Sequence, residues 1–294
     1  RKKDFYKIEN AADGKHFVTA RGWDDLSEMI KLYEENGLAV DEQLICQYLQ
    51  DARISKDFAI YYDLFNKYRS DYQVEKILDG TVSESIVLRA ERASMDERLS
   101  LLGLIFDSVT AQLRTVCERE NILDLVTGQL KTLKEKLKDV SGAAALLSEM
   151  IEAEREKLER GKQSSSISPQ AQRETRFMLE YLEEFRAAVM QSGSAQKDEF
   201  SIVRESFVQK VAELKGLAAD GGRALENVFS FCEKAFADGD ELLIFVTELT
   251  ANYYSARFIG RYGCDRYYMH NKQLQFDQRQ QEIIKRMDEI QWTV

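Results

Sequence analysis

Apolar residues recur every three or four positions over most of this chain, and only residues 1–22 break that rule. There Phe5-Tyr6-Lys7-Ile8 and His16-Phe17-Val18-Thr19 alternate around Asn10-Ala11-Ala12-Asp13-Gly14, predicting a β-hairpin with Asp-Gly in its turn. From Trp23 to Asn36 the period becomes helical. Trp23, Leu26, Ile30 and Tyr33 share one face, and Gly37 stands where a C-terminal cap belongs. Asp41 heads a short helix carrying Leu44, Ile45, Tyr48 and Leu49. A longer helix is expected from about Lys56 to Leu78, closed by Asp79-Gly80.

Past Thr81 the predicted helices lengthen. Ser94 and Glu97 have the spacing of a capping box. Leu99, Leu102, Phe106, Val109, Leu113 and Val116 form a seam spaced by three and four. Leu123, Val126, Leu130, Leu133 and Leu137 form a second seam, out of phase with the first, so a break is expected near residues 118–121. Ser141 opens the next helix. The segment Gly161-Lys162-Gln163-Ser164-Ser165-Ser166 reads as a low-complexity loop, mobile over about 161–168. Ser168-Pro169 then restarts a helix bearing Met178, Leu182, Phe185 and Val189. Ser192-Gly193-Ser194 and Asp220-Gly221-Gly222 punctuate the remainder, and Asp238-Gly239 opens a helix reaching about Ile259. A charged helix is expected from Gln275 to Trp292. The fold expected is all-α: a lead-in subdomain over 1–80 with a small N-terminal β-hairpin, then a long-helix bundle over 81–294.

Composition sharpens this. One proline, Pro169, in 294 residues removes the turn punctuation that a sheet protein needs. The net charge of -10 disfavours a nucleic-acid partner, since phosphate affinity rests on clustered Lys and Arg. No run reaches the roughly 18 apolar residues of a membrane span, so no membrane is expected among the partners. The four cysteines lie far apart without a CxxC pair, which with no signal peptide points to reduced thiols and a cytoplasmic location. The chain starts at Arg1, as a portion of a longer protein would.

Recognisable catalytic patterns are missing. Gly161-Lys162 is followed by Gln163 and comes after a helix, whereas a phosphate-binding loop needs Ser or Thr there and a preceding strand. Bundle metal sites need Glu-x-x-His, but Tyr267 stands three before His270, so no metal ligands are assigned. With two histidines, His16 and His270, and no GxSxG elbow, no catalytic residue is assigned and the chain is read as non-enzymatic by itself.

Two clusters stand out. In Thr19-Ala20-Arg21-Gly22-Trp23-Asp24-Asp25-Leu26 an arginine sits at the mouth of a helix, where it can point at an anion or pair with Asp24 or Asp25. Residues 251–272 hold four basic and one acidic side chain among tyrosines. Tyr254, Arg257, Arg261, Tyr267 and Tyr268 are candidates for a partner interface, the alternatives being tyrosines packed in the bundle with arginines paired to acids, or stacking plus charge toward a nucleic acid.

The stretch Phe17-Val18-Thr19-Ala20-Arg21-Gly22-Trp23-Asp24-Asp25-Leu26, with the helices after it, resembles the lid subdomain of MoxR-type AAA+ ATPases. The usual form there is Ser-Pro-Arg-Ala; here Thr19-Ala20 replaces Ser-Pro and Gly22-Trp23 follows the arginine. The resemblance covers about residues 1–80 and implies a sensor 2 role for Arg21, reaching a nucleotide's terminal phosphate. It also implies an upstream AAA+ core in the same chain, holding ATP and Mg, and a chaperone-like helical portion that engages a partner such as a von Willebrand factor A-type protein. The alternative is a stand-alone helical scaffold or adaptor unrelated to nucleotide.

Overall fold

The computed structural model describes residues 6–11, 14–138, 142–192, 199–237 and 239–272. It is all-α apart from one two-stranded antiparallel sheet at the N-terminus. The chain divides into two compact units, Arg1–Val74 with Met95–Leu104 and Glu75–Ser94 with Ile105–Val294. The expected helix at 275–292 lies outside the described residues.

In the first unit β1 (Lys7–Ala11) pairs with β2 (Gly14–Val18) in the register Ile8↔Phe17. The helix α1 (Ala20–Glu35) starts at Thr19, whose hydroxyl oxygen accepts from the Gly22 N–H at 3.0 Å. It ends in a Schellman pair: Leu38 N–H donates to the Tyr33 carbonyl and Gly37 N–H to that of Glu34, with Gly37 at φ +66°. Asp41 caps α2 (Glu42–Tyr48) through the Leu44 N–H at 2.9 Å. The next helix, α3 (Ala52–Tyr72), begins before Lys56 because Asp51 supplies the cap, accepting from Ile54 N–H at 3.0 Å. It stops short of Leu78 because Gln73 turns left-handed, at φ +49°, ahead of α4 (Val74–Leu78). Val18, Leu26, Ile45, Leu49 and Ile54 form the core, flanked by Trp23 edge-on to Phe58 at 5.1 Å.

A charge pair ties the hairpin to α3. Lys7 Nζ donates to Asp51 Oδ2 at 2.7 Å, and Asp51 is 6% exposed. The Lys7 hydrogen bond holds the Asp51 carboxyl below its ordinary 3.8. Reciprocally, hydrogen bonds to Asp51 and then Glu9 raise Lys7 above 10.5. A depressed carboxyl contributes stability above 3.8 that is lost as pH falls through the folded value. A raised ammonium contributes stability below 10.5 that is lost as pH climbs past the folded value. Urea unfolding followed by Trp23 fluorescence in a Trp292→Phe background should therefore show the first unit weakening in acid. Lys7→Gln should flatten that acid limb; an unchanged limb would show that other carboxylates set it.

In the second unit α5 (Glu84–Arg92) precedes α6 (Met95–Lys136), whose residues up to Leu104 belong to the first unit. The break expected at 118–121 does not exist. Two apolar seams out of phase mark a change in which side of one helix is covered, and 118–121 contain no glycine, proline or cap to end it. By length and hydropathy α6 is also the one described helix that meets the criterion for crossing a membrane. Its Val109, Leu113, Val116 and Val126 are fully or almost fully buried in the protein core.

The bundle continues with α7 (Ala143–Gln163), α8 (Pro169–Ser192) and α9 (Glu199–Phe236), with α8 packed on both neighbours. Ser141 and residues 193–198 lie outside the described residues. Gly161 belongs to α7 and is buried, because Ile167 folds back over it; the Ser164 hydroxyl donates to the Arg160 carbonyl at 2.9 Å. Ser168 Oγ accepts from Ala171 N–H at 3.2 Å at the start of α8, as the Ser-Pro pair predicts. No break occurs at Gly221-Gly222 either. A Cβ on Gly221 would sit 3.2 Å from Leu113 and 3.6 Å from Phe258, so this glycine lets α9 approach its neighbours closely inside a continuous helix. The segment expected to reach Ile259 is two helices, α10 (Asp240–Ala251) and α11 (Tyr253–Tyr262), because Asn252 caps the second through the N–H groups of Tyr254 and Ser255. Helical residues 265–272 follow as α12.

Candidate functional site

Each unit carries one sequence-predicted cluster. In the first, Arg21 lies in the opening turn of α1 with its side chain 89% exposed. Its Nε is 3.5 Å from Asp25 Oδ2, one turn on, so the local ion pair is present, solvated and loose. The surrounding residues fix the turn. Thr19 caps it, and Trp23 packs on Phe58. A Cβ at Gly22 would meet the Tyr48 carbonyl oxygen at 2.7 Å, so only glycine lets α1 lie this close to the end of α2. Arg21 is thereby carried outward beside backbone N–H groups at a helix N-terminus.

The second unit builds a charge cluster on Glu120, a residue of α6 that is 2% exposed. Its Oε1 accepts from the Tyr262 hydroxyl at 2.5 Å and pairs with Arg261 Nε at 2.8 Å; its Oε2 pairs with Arg257 Nη2 at 3.1 Å. Arg257 Nη1 also lies 3.4 Å from the Tyr253 hydroxyl. Burial, then the bond to Glu120, pushes the Tyr262 phenol up to about 12, so it stays a donor at all physiological pH. Beside the cluster Arg114 pairs with Glu118 at 2.7 Å and covers the Tyr254 ring at 5.3 Å.

The five residues predicted for an interface therefore divide. Arg257 and Arg261 converge on Glu120, and Arg261 keeps a 58% exposed side chain. Tyr254 borders the same cluster through Arg114. Tyr267 is buried, its hydroxyl 2.9 Å from Thr250 Oγ1, and so lies inside the bundle. Tyr268 is 42% exposed and donates to the Ile259 carbonyl at 3.2 Å.

Sequence reasoning missed Glu120, although a signal existed. The seam through Leu113 and Val116 continues at 120 and 123, so a carboxylate occupies an apolar position and needs a cationic partner. A second network was missed as well. Arg266 joins Glu226 at 3.1 Å and Glu233 at 2.5 Å, while His270 lies 2.9 Å from Glu233 and stacks on the buried Phe229. Burial raises the thiols of Cys117 and Cys232 and pushes that of Cys264 up to about 12, away from the thiolate form. Among the described residues no group of His, Cys, Asp and Glu is arranged to hold a metal ion.

Compared with family models, with curated proteins and with solved structures, the chain has no significant match.

Proposed function

We propose that the chain supplies the lid and a helical partner-engaging portion of a MoxR-type AAA+ ATPase, with nucleotide held by a core upstream of Arg1. The observation that carries this reading is Arg21: a guanidinium at a capped helix mouth, 89% exposed and, among the described residues, restrained by a solvated contact with Asp25. Such a group can swing toward a phosphate presented from outside the unit. A further support is the apolar face of α3, where Ile60, Tyr61 and Leu64 are 51%, 60% and 43% exposed, as expected of a surface that another element covers. In this reading ATP and Mg bind the core, and Arg21 steadies the charge on the terminal phosphate. The chain by itself performs no catalysis.

A stand-alone scaffold is the second reading, favoured by the Arg21–Asp25 pair, which gives the arginine a local acid and no need of nucleotide. Reading the coding sequence upstream of Arg1 separates the two. An in-frame GxxxxGK[ST] loop supports the lid, and a start codon directly before Arg1 overturns it.

A further inference from the structure

Glu120 meets two guanidiniums with one carboxylate, so the cluster keeps a surplus positive charge. The neighbouring Arg114–Glu118 pair is neutral and does not cancel it. This surplus sits on a chain of net charge -10. Its geometry is as telling as its sign. Glu120 grips Arg261 by Nε, while the Arg261 side chain remains 58% exposed, so a charged fork is held at the surface by a buried acid. Tyr253, Arg257 and Arg261 fall at successive i,i+4 positions on α11, and the Tyr253 ring is 64% exposed. No lysine occurs between 251 and 262. An arginine and tyrosine surface without lysine has the composition of interface hot spots.

We propose that this face of α11, Tyr253 with Arg257 and Arg261, docks an acidic segment of a partner protein. A carboxylate of the partner would take the outward nitrogens of Arg261, and Tyr253 would pack against the apolar part of the same segment. Because Glu120 already fixes Arg261, little side-chain freedom remains to be lost on binding. The inference rests on the partner-engaging half of the proposed function and is independent of its nucleotide half.

The test is fluorescence anisotropy with a fluorescein-labelled peptide of alternating glutamate and glycine, against its glutamine–glycine counterpart and a labelled oligothymidylate. The chain should bind the glutamate peptide, and binding should weaken with added salt. Arg261→Ala should weaken it by about tenfold. The same variant should melt within about 4 °C of the parent, because Arg257 and Tyr262 still satisfy Glu120. Arg261→Lys should restore binding only in part. Equal affinity for the two peptides, unchanged affinity in Arg261→Ala, or tighter capture of the oligothymidylate would each overturn the proposal. None of these results bears on whether an ATPase core lies upstream.

Discussion

Replacing Arg257 and Arg261 together by alanine should destabilise the second unit by about 3–5 kcal/mol, the cost of stranding a buried carboxylate. Glu120 is 2% exposed and would retain only the Tyr262 hydroxyl. At roughly 2–4 °C per kcal/mol for a unit of this size, the melting temperature should fall by about 10 °C. The single variants should differ sharply from the pair. Arg261, largely solvated, should cost at most about 1 kcal/mol, and Arg257, at 25% exposure, more than that. Calorimetric melting of the two singles and the double variant measures this directly. Additive small losses would mean that water already compensates Glu120.

Phe245→Ala should be comparably costly, about 3–5 kcal/mol, through loss of apolar burial and the cavity left behind. Phe245 is fully buried; Phe229 stands edge-on at 5.3 Å and Phe106 at 6.5 Å. These three rings join α6, α9 and α10, so truncating the central one removes contacts on all three helices at once. Tyr253→Ala, exposed on α11, should change stability by less than about 0.5 kcal/mol. Denaturant unfolding of both variants gives the comparison, and similar losses would mean that the exposed ring is covered in solution.

What could be read from the sequence is what local chemistry sets. The two hairpin strands, the cap at Asp41, the Gly37 terminus and the Ser168-Pro169 restart all depend on residues a few positions apart, and all appear as expected; of the expected Asp-Gly turn, Asp13 lies outside the described residues and Gly14 belongs to β2. Errors arose where distant packing decides. Gly221 reads as a breaker until Leu113 and Phe258 are seen closing on the space a Cβ would occupy. The phase change along α6 reads as a helix end until the burial of both halves shows one helix covered on two different sides. Asn252 stands without a glycine or proline beside it, yet its side chain divides α10 from α11. The Tyr–Arg segment was visible as composition. Its organising acid was not, since Glu120 lies 137 residues before Arg257.

The lid reading is tested most directly at one residue, Arg21. On that reading, steady-state ATP turnover of the complete protein with its proposed upstream core should fall by about tenfold or more in Arg21→Ala. Arg21→Lys should recover part of that loss, because an ammonium supplies charge without the planar fork. Melting should be unaffected in both variants, since Arg21 is 89% exposed and, among the described residues, is held by a solvated contact with Asp25. Turnover in Arg21→Ala equal to that of the parent would contradict the lid assignment and leave the solvated Arg21–Asp25 pair as the whole role of this arginine.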